Sequence, residues 1–431
     1  MTALVKLGQA LRRLSADRSG QIALIFGLML VPMLFASGAA IDYSRRNAAK
    51  VRLDAALDAA VLAVMSQKSN TIDAATLTNM ERQFRAEAAK IPGVTLTSFV
   101  PNPLTTVTSL TLSATYAAKV STTLGRLMNV SALAISGTAS GTRNMSQYID
   151  FYLLLDNSPS MGLAATDTDV SNMKALTGGC AFACHEYKFD SKGNIKGDDE
   201  TDFYHVAKKN NIKLRIQVLR DAVMNLVDTA KETMSLAQQF RMEVWTFSDI
   251  QTKISALTTN LDRTKSDASQ IDLAYSLYNE PDNQTSYERA ITKMNSVVPT
   301  SGNGVTAASP IRFLFFVTDG VQDTPIDGAV SDPSIGYKIT NNRFIGPINP
   351  TTCQAMKDKG IRIGIIYTTY LPIYDNGFYN ANVKPFETKI PTRLKACATD
   401  GLFFQVSTGG DINAAMQALF QTAVASVRLT N

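Results

Sequence analysis

The sequence predicts an α/β domain with a doubly wound, mostly parallel sheet, preceded by a transmembrane helix and a small α+β module. Three features indicate this architecture. An uncharged apolar run lies near the N-terminus, a β-rich segment with alternating side chains follows it, and from residue 146 onward apolar strands alternate with amphipathic helices. Such alternation is typical of a parallel sheet that is covered by helices on both faces.

The overall composition is that of a globular protein with a weak positive charge. The chain has 431 residues, 45% of them apolar, which is long enough for two or three domains. Its 42 basic and 37 acidic residues give a net charge of +5 that is spread along the chain. Because no segment combines clustered basic residues with aromatic ones, we expect no nucleic acid among its partners.

Residues 22–41 form the longest apolar run, in which Ser37 is the one polar side chain. A run of this length matches the approximately 20 residues that a helix needs to cross a bilayer. We therefore predict a transmembrane helix at 22–41 after a cytoplasmic N-terminus at 1–21. The alternative is a cleaved signal peptide, since Ala36–Ala40 has the small residues of a cleavage site. Four basic residues on each side of the run leave its orientation open.

The segment 42–145 combines helical and strand patterns. Helical periodicity continues from the apolar run to about Ser66, and a second helix is expected from about Ala74 to Lys90. After Pro92-Gly93, apolar residues alternate with serine and threonine, which is typical of strands. We therefore predict a small α+β stalk module.

The remaining segment, 146–431, carries the α/β pattern with long polar insertions at 162–210 and 321–350. Insertions of this length in a compact domain tend to be functional or disordered. Strands are expected at 148–155, 240–247, 254–257, 311–318, 361–368 and 402–406. Helices are expected at 212–233, 265–278, 287–297, 353–359, 391–399 and 411–425.

Four cysteines fall as a close pair, Cys180 and Cys184, and a distant pair, Cys353 and Cys397. Four cysteines allow three connectivities, and the sequence does not choose among them, although spacing favours pairing within each pair. If they form disulfides, the bulk of the chain lies outside the cytoplasm.

Oxygen-bearing side chains follow two of the apolar strands. Asp156-x-Ser158-x-Ser160 ends one strand and Asp319 follows another, so these groups converge if the two strands are neighbours. Hydroxyls and carboxylates are ligands that Mg²⁺ prefers. The alternative is that the two aspartates cap helix N-termini while the serines bind loop amides.

The order of these motifs resembles the metal-ion-dependent adhesion site of the von Willebrand factor A family. Asp-x-Ser-x-Ser, a loop threonine that opens a helix, and a strand ending Thr-Asp-Gly are all present, and Trp245-Thr-Phe-Ser-Asp249 is similar to a strand of that family. The resemblance covers about 150–425. It implies that Mg²⁺, or Mn²⁺ or Ca²⁺, binds a site formed by Asp156, Ser158, Ser160, Thr285 and Asp319. Thr258 and Thr306 are alternatives to Thr285.

A second resemblance concerns the N-terminal segment. Arg18-Ser-Gly-Gln-Ile-Ala-Leu-Ile-Phe26, the apolar run and Ala40-Ile-Asp-Tyr-Ser-Arg45 resemble the membrane segment of TadG-type proteins of the bacterial tight-adherence (Flp) pilus system. Cleaved relatives have a glutamate five residues after the processing glycine, whereas here Ile25 follows Gly20 at that distance. This argues for a retained anchor.

Together the resemblances imply a single-pass protein of the inner (cell) membrane whose bulk lies in the periplasm or another extracytoplasmic space. Its metal would bind a carboxylate of a protein partner, either a pilus assembly component or a surface ligand. The alternative is a scaffold of the pilus machinery in which the metal only stabilises the fold. An enzyme is not expected, because the chain has two histidines, both in the first insertion. These histidines, His185 and His205, together with the close cysteine pair are also a weaker candidate for a zinc site.

Overall fold

The computed structural model describes residues 20–106, 109–275, 285–325, 338–340, 343–369, 377, 379–407 and 410–429. The chain divides into two compact units, Met1–Met145 and Ser146–Asn431. The predicted cytoplasmic segment 1–21 lies almost entirely outside the described residues. So does much of the insertion predicted at 321–350.

Helix α1 of the first unit, Gln21–Met65, is 45 residues long. Its first part exposes large apolar side chains such as Ile22 and Leu28, and it is the one described helix long and apolar enough to cross a membrane. Its second part buries Leu53 and Leu57 against the rest of the unit. The helix therefore fits a single-pass membrane anchor that continues into a folded module.

The rest of the first unit is helix α2, Ala74–Ala89, and an antiparallel sheet of three strands in the order β1-β2-β3. The strands are β1, Val94–Thr105, β2, Ser109–Ser121, and β3, Ala132–Asn144. Alternate residues of β2 are buried, which confirms the strand pattern predicted for this segment. Phe84 of α2 and Tyr116 of β2 pack in the core between helices and sheet.

The second unit follows the predicted alternation closely and adds elements in the insertions. Its strands are β4, Ile149–Asp156; β5, Tyr187–Phe189; β6, Ile195–Asp198; β7, Phe240–Phe247; β8, Gln251–Thr258; β9, Ile311–Thr318; β10, Gln322–Pro325; β11, Lys338–Thr340; β12, Arg343–Gly346; β13, Arg362–Thr368; and β14, Phe403–Val406. Its helices are α3, Asp167–Thr177; α4, Phe203–Lys209; α5, Arg215–Thr233; α6, Leu261–Ala268; α7, Tyr287–Val297; α8, Gln354–Asp358; α9, Ile390–Cys397; and α10, Ile412–Leu429.

The main sheet has six strands in the order β14-β13-β9-β4-β7-β8, with only β8 antiparallel to its neighbour. Every residue of β4 and β9 is buried, because apolar clusters cover both faces of the sheet. The chain runs from β4 to β7 on one side and later returns to β9 on the other, so the order of strands reverses at β4. The predicted α/β class with a doubly wound, mostly parallel sheet is therefore confirmed.

Two details of the sequence prediction are corrected. The helix predicted at 265–278 is shorter and earlier, Leu261–Ala268, and the chain is irregular from 271 to 275. The first insertion is not a featureless loop, because it forms α3, a β5–β6 hairpin and α4.

The cysteines behave differently in the two pairs. Cys353 and Cys397 form a disulfide with their Cα atoms 5.5 Å apart, which joins the turn before α8 to the last residue of α9. Cys180 and Cys184 are not joined, so the disulfide predicted for them is wrong. The residues between them pair with the main chain at Gly162 and Leu163, and an extended segment of four residues spans up to about 13 Å. A disulfide requires Cα atoms within about 7 Å.

Candidate metal centre

The parallel pairing of β4 with β9 brings two carboxylates to one end of the sheet. Leu155 is in register with Val317, so Asp156 at the end of β4 and Asp319 just beyond β9 are neighbours. Both side chains are completely buried. They lie where the strand order reverses, which is where open α/β sheets bind ligands.

Hydroxyl groups surround the Asp156 carboxylate. The Ser158 hydroxyl donates to Asp156 Oδ1 at 2.6 Å, the Ser158 amide donates to the same oxygen at 3.0 Å, and the Thr318 hydroxyl donates to Asp156 Oδ2 at 2.8 Å. The Ser158 and Ser160 hydroxyls are 2.9 Å apart. The predicted Asp-x-Ser-x-Ser oxygens therefore converge in one cluster.

Asp319 is less completely paired than Asp156. The Val321 amide donates to its Oδ1 at 3.4 Å, whereas its buried Oδ2 has no hydrogen-bond partner in the described part of the chain. A buried carboxylate oxygen without a donor is costly unless a cation compensates it. No helix follows Asp319, since β10 begins three residues later, and this removes the helix-cap interpretation for Asp319.

The conformation of the turn after β9 depends on Gly320. Its φ is +89°, and a Cβ atom there would approach Ile390 Cγ2 to 2.3 Å. Glycine adopts this φ without steric penalty. The glycine of the Thr-Asp-Gly motif thus lets the chain turn while Asp319 remains buried.

The two carboxylates disfavour each other's ionisation. Burial and the neighbouring Asp319 charge raise the pKa of Asp156 to about 7. Burial also raises the pKa of Asp319, while the Ser160 hydroxyl and the Arg215 guanidinium oppose that rise. A divalent cation between these carboxylates would relieve both effects. The donor set of two carboxylates and neighbouring hydroxyls therefore fits Mg²⁺.

Thr285 pairs with the segment that follows Asp319. Its amide donates to the Asp323 carbonyl at 2.9 Å, and the Asp323 amide donates back to the Thr285 carbonyl at 3.0 Å, which fixes Thr285 beside the chain that leaves Asp319. Two residues later, the Tyr287 hydroxyl is 2.6 Å from the Thr318 hydroxyl. The Tyr287 side chain at the start of α7 thus reaches the hydroxyl that binds Asp156, and the Thr285 side chain is buried.

Sequence reasoning missed two groups of the centre. Thr318 bridges Asp156 and Tyr287, and its signal was a hydroxyl at the end of a strand that is apolar apart from Arg312. Arg215 is buried at the first position of α5, where its guanidinium donates to the Thr369 carbonyl at 3.1 Å. A charged residue at a helix start gives no sequence signal that it faces the interior.

The sheet and its cluster of hydroxyls and carboxylates define an α/β domain with a candidate cation site at the carboxyl ends of its strands, and its motifs resemble those of the von Willebrand factor A family. Residues 20–67 match the family model described as "Putative Flp pilus-assembly TadE/G-like". This match confirms that the membrane segment resembles that of TadG-type proteins. No curated protein sequence matches the chain.

Solved structures show only distant similarity. The von Willebrand factor domain of the type V pili tip protein Mfa5 from Porphyromonas gingivalis is 10% identical, with 66% of this chain and 97% of that chain covered and a TM-score of 0.37. The PilB minor pilin from Streptococcus sanguinis is 10% identical over 78% of both chains, with a TM-score of 0.36. Proximal thread matrix protein 1 from the mussel byssus, described with a zinc-occupied MIDAS motif, is 11% identical over 65% of this chain and 46% of its own, with a TM-score of 0.35. This chain thus spans less than half of the mussel protein's length.

Proposed function

We propose that the protein is a membrane-anchored, extracytoplasmic binding protein that assists assembly or surface attachment of a tight-adherence pilus. The observation that carries this proposal is the buried pair Asp156 and Asp319. The Oδ2 atom of Asp319 has no hydrogen-bond donor among the described residues, and a bound cation would compensate its charge. Asp156, Ser158, Ser160, Thr285 and Asp319 would hold Mg²⁺, with Mn²⁺ or Ca²⁺ as substitutes. A carboxylate of a protein partner would complete the coordination of that cation, because two carboxylates and three hydroxyls leave open positions.

The exposure of the proposed ligands supports an approach of the partner to the metal from one side. Ser160 is half-buried, whereas the other four proposed ligands are buried. A partner's carboxylate would therefore reach the metal past Ser160. The family match at residues 20–67 supports a pilus component as that partner.

The proposed location rests on two features. The exposed apolar part of α1 supports a single span of the cell membrane with residues 1–21 in the cytoplasm. The disulfide between Cys353 and Cys397 supports an oxidising compartment for the second unit.

The experiment compares assembly in cells that lack the chromosomal copy and carry plasmid-borne variants. Wild type and Asp262→Asn should restore piliation and co-purify the partner after cross-linking, because Asp262 is an exposed aspartate far along the chain from the centre. Asp319→Asn should restore neither, at equal protein abundance. Full restoration by Asp319→Asn would contradict the proposal.

The burial of the proposed ligands also favours a second candidate function, in which the metal has a structural role. Because Asp156, Ser158 and Asp319 have no exposed surface, the metal could serve only to hold the strand ends together within a pilus scaffold. In that case Asp319→Asn would lower the melting temperature and the abundance of the protein, yet the partner would bind whatever protein remains. Assembly would then depend mainly on residues 43–145.

A further inference from the structure

The first insertion gathers four metal-binding side chains at a point separate from Asp156. His185 precedes β5, Asp198 ends β6, Asp202 is the N-cap of α4, and His205 lies in the first turn of that helix. One ligand atom from each residue lies within 4.8 Å of the other three. We call these four residues the histidine cluster.

The contacts in the histidine cluster all run between imidazoles and carboxylates. Asp202 uses one oxygen toward His185 Nδ1 at 3.0 Å and the other toward His205 Nδ1 at 2.8 Å. Asp198 lies 3.7 Å from His185 Nδ1 and 3.4 Å from His205 Nε2. Four ligands at about 2.0–2.2 Å from one tetrahedral metal lie roughly 3.3–3.6 Å apart. The observed contacts lie around that value, although they use both oxygens of each aspartate and both ring nitrogens of His205. A set with one atom from each residue lies within 4.8 Å.

The cluster is shielded from solvent on one side. The Asp202 side chain is 1% exposed and that of His185 is 7% exposed, whereas Asp198 is 40% exposed. The His185 ring is sandwiched between Tyr275 and Tyr204, with ring centroids 3.9 Å and 4.1 Å away. This packing fixes the imidazole so that Nδ1 faces both carboxylates.

Hydrogen bonds satisfy both contacts of His205 only when each of its ring nitrogens carries a proton. A neutral imidazole has one N–H and one lone pair, yet His205 directs both of its ring nitrogens at carboxylates. In the neutral form, which a metal ligand requires, one of these contacts sets a lone pair against a carboxylate oxygen. A divalent cation in the middle would accept all four lone pairs and would balance the two negative charges.

The carboxylate of Asp202 is oriented by the main chain as a metal ligand usually is. The Glu186 amide donates to one of its oxygens at 2.8 Å, and the His205 amide donates to the other at 2.8 Å. Hydrogen bonds of this kind from outside the ligand set hold ligands in position before the metal binds.

We propose that His185, Asp198, Asp202 and His205 form a second metal site, selective for Zn²⁺ or a similar transition metal. Two imidazoles and two carboxylates suit zinc, whereas Mg²⁺ prefers the all-oxygen set around Asp156. The site is independent of the proposed pilus function.

The site does not include the nearby cysteines. The Cys180 thiol donates to the Phe182 carbonyl at 3.5 Å, and neither cysteine belongs to the group of ligand atoms around His185. The ligands are therefore nitrogen and oxygen without sulfur. This distinguishes the proposal from a thiolate zinc site built on the close cysteine pair.

A metal here would tie the insertion to the loop that carries Asp156. Tyr204 donates its hydroxyl to Asp272, and Tyr275 stacks on His185. The Asn157 side chain donates to the Asp272 carbonyl at 3.1 Å, and the Ala274 amide donates to the Asn157 carbonyl at 2.8 Å. Residues 272–275 thus lie between the histidine cluster and the Asp-x-Ser-x-Ser loop.

The test uses the full chain in detergent, purified without a histidine tag, stripped with chelator and dialysed against ZnCl₂ in excess MgCl₂. Metal analysis should give about one zinc per chain, and X-ray absorption should show nitrogen and oxygen ligands at about 2.0–2.1 Å with no sulfur near 2.3 Å. His205→Gln and Asp198→Asn should each weaken zinc binding at least about tenfold.

Asp199→Asn is the matched control, because Asp199 neighbours Asp198 but its side chain binds Thr201. Asp199→Asn, Asp156→Asn and Cys180→Ser should retain zinc. Melting of the metal-free variants, followed by Trp245 fluorescence, shows whether each one folds. Sub-stoichiometric zinc in the wild type, a sulfur ligand, or equal zinc binding by His205→Gln and Asp199→Asn would each overturn the proposal.

Discussion

At the residue scale, the proposed function depends on two carboxylates, Asp156 and Asp319, that are both completely buried. Asp156 has donors for both oxygens, from Ser158 and Thr318, and Asp319 has one oxygen without any. Burial and the neighbouring carboxylate both disfavour the ionised form of Asp156 and raise its pKa. We propose that the pair binds a cation once both groups are ionised, because the cation would offset the repulsion between them.

The first prediction is that the metal-free protein loses stability as pH rises. The pKa of Asp156 is raised to about 7 in the folded state, against about 3.9 for an unfolded chain. Between these values the folded state holds more protons, so the free energy of unfolding falls as pH increases from about 4 to 7. Each pKa unit corresponds to about 1.4 kcal/mol, so the fall amounts to a few kcal/mol.

Thermal melting in EDTA, followed by the fluorescence of Trp245, measures this change. Trp245 is the single tryptophan and lies buried in β7, so it reports on the second unit. In Asp156→Asn the decrease should be much smaller than in wild type, while Asp262→Asn should behave as wild type. The same change of stability with pH in wild type and in Asp156→Asn would be inconsistent with a raised pKa of Asp156.

The second prediction concerns Thr318, which joins Asp156 to Tyr287. Thr318→Val keeps the shape of the side chain but removes the hydroxyl, so buried groups on both sides lose a hydrogen bond. Such a loss costs about 1–3 kcal/mol. The free energy of unfolding should fall by that amount, and adding Tyr287→Phe should cost less than it does in wild type. Additive effects of the two changes would show that they do not share a network.

Sequence patterns identified most of the candidate ligands, because these residues come at or just after the end of a strand that the sequence shows as an apolar run. Asp156, Ser158, Ser160 and Asp319 needed only the assumption that two strands are neighbours. The Cys180–Cys184 disulfide was wrong because four-residue spacing says nothing about main-chain pairing with Leu163. Arg215 was missed because only tertiary packing shows which side of a helix start faces the carboxylates.

At the element scale, the strands were the most predictable part of the fold. β7 and β9 occupy the residues predicted for them. β9 is apolar except for Arg312 and Thr318, as expected of a strand covered on both faces. Helix α7 was equally clear. The β5–β6 hairpin and α4 were not foreseen, because short polar elements stabilised by a few tyrosine and histidine contacts leave no periodic pattern.

The third prediction is that the Cys353–Cys397 disulfide stabilises the second unit. It closes a loop with a sequence separation of 44 and joins two buried residues. A loop of this size corresponds to about 4 kcal/mol in a chain-entropy model, and typical measured values are about 2–4 kcal/mol. Cys353→Ala with Cys397→Ala should lower the melting temperature strongly, whereas Cys180→Ala with Cys184→Ala should not. Equal effects of the two double variants would contradict the assignment.

At the scale of the whole molecule, the apolar part of α1 fits a single-pass membrane anchor, and we propose that the second unit with its disulfide lies outside the cytoplasm. The fourth prediction is therefore that alkaline phosphatase fused after residue 431 is active in cells, and that green fluorescent protein at the same place is dark. Fusions before residue 1 should give the opposite pattern. Active phosphatase at the N-terminus together with a fluorescent protein at the C-terminus would show the opposite orientation and contradict the prediction.

The central claim is that the buried carboxylates of the second unit bind a divalent cation. The most direct test is the melting temperature of the full chain in detergent at pH 8, with EDTA or with MgCl₂, read from Trp245 fluorescence. Ligand binding at 100 times its Kd adds about 2.7 kcal/mol, so magnesium should raise the melting temperature of wild type and Asp262→Asn by several degrees. It should not raise that of Asp319→Asn. An equal shift in all three proteins, or no shift in wild type with Mg²⁺, Mn²⁺ or Ca²⁺, would contradict the claim.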